Sequence, residues 1–284
     1  MFNSIVRSGW FCPQSYLPVL TATLLMVSGL SAALADPAQV PPSQPLTEVS
    51  DSAPDMMQQL VQIDPLDSPH PIPWNWVLTT QAEAAAKGKA GIRYYRSPSL
   101  VSPDGQYAAY SRIEMQVHPD LWRCRVTSVM FLENLRTGDL RTITASSPLA
   151  DHPLNKNEHK NIPGKIAILI PVSWSPTGDH LLGREFEGVF STSDASDYAV
   201  VWDRQLNRTT TVAPNTTNYS TAVLLGWSQT YPNQVLFRAG ELGEEKWPLL
   251  AVNLQGQSVA VTEDQPKIFG QVINQVWAGP QAHW

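Results

Sequence analysis

Four residues that could do chemistry, Asp151, His152, Glu158 and His159, share one polar stretch of the 284-residue chain. Imidazole with carboxylate is a donor set that holds a divalent metal. Their spacing matches no established metal motif, and a solvated polar loop is the reading the residues favour. Asp194 and Asp197 offer hard oxygens to calcium but lack the alternating acids and the glycine of a calcium loop, so they read as a polar connection between strands. Trp122-Arg123 sets an indole beside a guanidinium, the residue types that dominate binding hot spots, and the thiol of Cys124 follows directly. Trp74, Trp76 and Trp247 are further indoles able to stack on a sugar or a peptide, although packing beneath strands is the commoner use of such rings. No Gly-x-Ser-x-Gly elbow, His-Glu-x-x-His run, phosphate-cradling glycine loop or dinucleotide fingerprint occurs, so no cofactor is indicated.

Composition narrows the function classes. Acids outnumber Lys and Arg by 25 to 19, the opposite of a nucleic-acid footprint, so no nucleic-acid partner is expected. With 24 Pro and 10 Trp, the chain favours turns and strands over helical bundles. At the N-terminus Arg7 precedes an apolar run from Leu17 to Leu34, and Ala33-Leu34-Ala35 stands before Asp36-Pro37. That is the layout of a signal peptide over 1–35, which predicts a periplasmic or secreted protein with no stable membrane span after cleavage. Cleavage would take Cys12 away and leave Cys124 as the only thiol.

The elements that must position the candidate residues follow in order. Residues 36–73 are Pro-rich and read as a flexible linker, with Met56, Met57, Leu60, Val61 and Ile63 at near-helical spacing inside it. Residues 74–95 read as an extended Trp74–Val77 lead-in and a short helix over 79–90, capped at Thr79 or Thr80 and ended by Gly88 and Gly91. Beyond residue 96, short β-prone runs alternate with turn residues. Leu100–Tyr110, Ser173–Leu182 and Gly226–Phe237 align as strand, tight turn, strand, and each is followed by a second hairpin with Asn, Asp or Gly in its turn. The unit is therefore a four-stranded antiparallel quartet, present three times. Val101, Trp174 and Trp227 are equivalent anchors, and Trp277 marks the first strand of a fourth unit. Two insertions, 114–125 and 145–165, lengthen the first interval.

The turn Ser102-Pro103-Asp104-Gly105, and its degenerate copy Ser175-Pro176-Thr177-Gly178, each followed by an apolar strand, resemble the WD40-like repeat of TolB-type β-propellers. In that family the preceding Trp, here Trp174, Trp227 and Trp277, lies near the end of the innermost strand. The chain as a whole resembles exported propeller-repeat proteins of bacteria, those of cyanobacteria included. The resemblance implies an all-β, propeller-like array over 96–284, with three complete blades and a partial fourth. Such propellers usually have six blades, so ring closure is open here, and an uncapped edge would invite a second chain. The leading functional expectation is a non-enzymatic binding or scaffold module that engages a protein or peptide through loops 114–125 and 145–165. Trp122, Arg123, His152, His159, Trp74 and Trp76 are its candidate binding residues. The alternatives are a metal-assisted hydrolase or cyclase using His152, His159 and nearby acids, and a carbohydrate-binding module using Trp74, Trp76 or Trp122.

Overall fold

The computed structural model describes residues 63–150, 162–216 and 219–274, all within the unit Met56–Trp284. His152, His159 and Trp277 therefore lie outside the described residues, as do 1–35 and most of the Pro-rich segment. The described chain is mostly β, with one α-helix, α1 (Trp74–Lys87).

A short strand β1 (Gly91–Arg96) leads into the first quartet, β2 (Ser99–Val101), β3 (Tyr107–Val117), β4 (Arg125–Asn134) and β5 (Leu140–Ile143). The second quartet is β6 (Lys165–Trp174), β7 (His180–Val189), β8 (Ala195–Asp203) and β9 (Arg208–Val212). The third is β10 (Thr221–Ser228), β11 (Val235–Gly240), β12 (Leu249–Val252) and β13 (Ser258–Val261), followed by the short β14 (Pro266–Lys267) and β15 (Gln271–Ile273). Each quartet is an antiparallel meander in the order expected from the aligned turns. A two-residue parallel bridge, Val126 to Ile166 and Thr127 to Ala167, joins the first two quartets into a ten-stranded sheet, and the third stands in a five-stranded sheet of its own. Neither sheet closes on itself.

The repeat has a physical basis in its turns. Ser102, Ser175 and Ser228 each donate their backbone N–H to a carbonyl five or six residues on, at Tyr107, His180 and Gln234. Their hydroxyls accept from N–H groups inside the turn, at Tyr107, at Asp179 and His180, and at Tyr231. A serine there meets the N–H groups a tight turn leaves unpaired. Gly105 and Gly178 take φ of +68° and +76°, and in the third turn Asn233 reaches +60°. Successive turns are tied together: Arg204 bonds Asp104 at 2.7 Å and Gln106 at 2.7 Å, and its backbone N–H reaches Asp179 O.

The core lies between the quartets. Trp174 is wholly buried, packs edge-on against Trp202 at 6.3 Å and donates its indole N–H to Leu100 O. Trp227 is buried among Leu224, Phe237 and Leu250. The run Ile166–Val172, continuous rather than alternating, is covered on both faces, as a strand between two packed layers must be.

Three expectations are corrected. The insertion 114–125 is shorter than expected: Glu114–Val117 continue β3, Arg125 opens β4, and only 118–124 connect them. The helix starts at Trp74 rather than Thr79, with no side-chain cap, because Pro73 already holds a φ of −73° and the indoles of Trp74 and Trp76 gain partners by turning inward on a helix. It ends at Lys87, three residues earlier than expected, with Gly88 (φ +61°) alone as its cap. The last part of the predicted linker is also no tether: residues 64–73 are docked, Ile72 is wholly buried, and Asp64 is paired inside the core.

The C-terminal part of the described chain reaches the first strand of each of the three quartets. Lys267 pairs with Trp227, Phe269 O accepts the Trp174 N–H, and Gln271 pairs with Val101. These are the three anchors that the repeat alignment makes equivalent. One short segment, bent at Gly270, thus touches the first strand of each quartet.

Candidate functional site

The connection 118–124 is short and held from several sides. The buried thiol of Cys124 donates to His118 O and accepts the His118 N–H, and burial pushes that thiol above its ordinary range. Leu121–Arg123 form one 3-10 turn, closed by Cys124 N–H on Leu121 O. Gln81 on α1 donates to Pro119 O at 2.8 Å. A Cβ built at Gly164 would lie 3.2 Å from Trp122 O, so the end of the second insertion packs directly on this turn. The two regions selected from the sequence therefore meet. On this fixed base the Trp122 side chain stands out, 55% exposed, with the Arg123 guanidinium 5.7 Å from its ring centre and Asp120 4.0 Å from that guanidinium.

The other two selected indoles serve packing. Trp74 stacks on Phe190 at 5.8 Å and tilts onto Phe186, and Trp76 lies against Tyr95 at 5.4 Å. They pin α1 to the core beside Ile72 and Val77. The described start of the second insertion is docked as well: Leu149 N–H donates to Glu187 Oε1 at 2.8 Å. Burial raises the Glu187 carboxyl, and burial with the nearby Glu187 charge pushes the Tyr198 phenol up to about 12.

The most concentrated electrostatics sit at Arg184 on β7, which is wholly buried. Asp197 on β8 takes its Nε at 2.8 Å, Asp64 takes both terminal nitrogens at 2.7 and 3.1 Å, and His70 O accepts at 2.6 Å. The carboxylates are satisfied in turn. Asp64 accepts the N–H groups of Leu66, Ser68 and Ile72, and Asp197 accepts that of Leu224 on β10. Burial is the largest influence on the Asp64 carboxyl and works against its charge, but Arg184 and the backbone N–H groups of Leu66 and Ser68 together outweigh it and the pKa is lowered. At Asp197 burial wins over Arg184, and the pKa rises to about 6. This clasp joins the strap 64–73 to strands of two quartets. Sequence reading missed it because Arg184, Glu185 and Glu187 are charges of the kind that ordinarily face solvent, whereas β7 is covered on both sides. Asp197, read as part of a polar connection, is a core residue for the same reason.

Among the described residues, no three or more His, Cys, Asp or Glu come together as a metal site, and no helix is long and apolar enough to cross a membrane. No protein-family model matches the chain, and no curated protein matches it significantly.

Proposed function

We propose that this chain is an exported, non-enzymatic binding module built from propeller-type four-stranded units, and that it engages a protein or peptide through the 118–124 turn and the adjoining 145–165 insertion. The observation that carries the reading is the Trp122 indole. A large apolar ring left outside costs solvation, yet here the chain spends a buried thiol, a helix side chain and a close glycine contact on fixing its base. A rigid aromatic anchor beside a guanidinium binds with little further ordering. The tied turns of neighbouring quartets support reading the units as stacked blades, and residues 1–35 support export.

Carbohydrate stacking has less support, since Trp74 and Trp76 are committed to the core. Selection of a displayed random-peptide library on the immobilised full chain is the direct test. Enriched peptides should bind W122A at least about thirtyfold more weakly, the ~2 kcal/mol at which a hot spot begins, while its β circular dichroism stays unchanged. Equal affinity for W122A would overturn the proposal.

A further inference from the structure

The strap held by Arg184 also forms one wall of a recess of about 310 Å³. Pro69, Pro71 and Pro73 come from the strap, Tyr95 and Pro98 from the β1–β2 junction, and Pro171 from β6. The volume is near the small end of the roughly 300–1,000 Å³ typical of ligand pockets, and about twice the ~150 Å³ in which an apolar cavity accepts benzene. One or two rings would fill it. Flat pyrrolidine rings and a phenol ring suit the faces of an aromatic guest. Apart from His70, no ionisable side chain other than the Tyr95 phenol reaches the lining, so a charged guest would enter unpaired at high cost.

The polar groups of the lining then decide the guest's functional group. Ser97 Oγ already donates to Pro98 O and accepts from Ser111 N–H, and Ser99 Oγ accepts from Arg96. His70 differs. Its Nε2 lies 2.9 Å from Leu225 O, and a carbonyl can only accept, so Nε2 carries the hydrogen and Nδ1 keeps its lone pair. Burial, aided by the Arg184 charge, lowers the imidazole pKa and favours this neutral form. Nδ1 has no hydrogen-bond partner among the described residues. The ring is held in place from behind, through Leu225 O on its far nitrogen and Arg184 on its own carbonyl.

We propose that the recess binds a small neutral aromatic molecule with one ring O–H or N–H, a phenol or an indole, whose donor meets His70 Nδ1 while its ring lies against the prolines. The site is separate from the Trp122 turn and does not depend on it. The experiment is a ligand-observed NMR titration of the full chain with p-cresol, and with toluene as the same ring without a donor. Saturable p-cresol binding is expected, about tenfold tighter than toluene, the worth of one such hydrogen bond. H70F should bring p-cresol down to the toluene level. V272W, a substitution at a 61% exposed lining residue that leaves the core untouched, should block both guests. Equal affinities for the two probes, p-cresol binding unchanged in V272W, or no saturation up to the solubility limit would each overturn the proposal.

Discussion

Arg184 shows how a charge survives in a core: each nitrogen that points inward meets an acceptor, and the carboxylates it pairs with are themselves held by backbone N–H groups. Removing one partner strands the rest. D64N should therefore cost about 3–5 kcal/mol in urea unfolding, the usual result of breaking a buried pair. The clasp also makes stability depend on pH in two opposed ways. His70 has its pKa lowered in the fold from 6.5, so its contribution is complete above that value and is lost as pH falls below it. Asp197 is raised from 3.8 to about 6, so its contribution is complete below 3.8 and is lost as pH rises through 6. Urea midpoints between pH 7 and 4 should show this: the advantage of the native protein over H70Q shrinks on acidification, whereas its advantage over D197N grows. Parallel trends for the two variants would refute the assignment. Little of this was legible in the sequence. Asp64 and Arg184 are 120 positions apart, and no local pattern links them.

At the scale of elements, the crossing segment 266–273 depends on one backbone shape. Gly270 has φ of +105°, and a Cβ there would sit 2.8 Å from Val101 O and 2.9 Å from the Trp174 ring. Gly243 has a similar φ of +98° with nothing within 4 Å. G243A should thus cost only the backbone penalty, about 1–2 kcal/mol, and G270A distinctly more because a backbone oxygen cannot move aside cheaply. Thermal unfolding of the two variants separates strain from collision, and equal losses would show that Gly270 is needed for its φ alone. The hairpins were the most readable elements, since their Asn, Asp and Gly residues carry the turn geometry locally. The helix start was not. Thr79 and Thr80 are good caps in isolation, but the burial of Trp74 and Trp76 against Phe190 and Tyr95 extends the helix back past them.

Across the whole molecule, the strap 64–73 and the segment 266–273 fasten the three quartets from opposite ends of the described chain. If the crossing segment links β2, β6 and β10, a chain ending at Thr262 should lose amide protection at the inner ends of all three strands together, with Trp174 N–H exchanging at least about tenfold faster. Loss confined to β10 would show that the quartets hold together without it. The sequence by itself determined the β class, the three strand quartets, the turn serines and the equivalence of Val101, Trp174 and Trp227, because each depends on β-prone runs and turn chemistry within a few dozen residues. Only the tertiary structure decided that the sheets stay open, that the strap is docked, that Arg184 and Asp197 are interior, and that the proline-walled recess exists. Those features come from groups far apart in sequence, whose burial is repaid only when several elements pack at once.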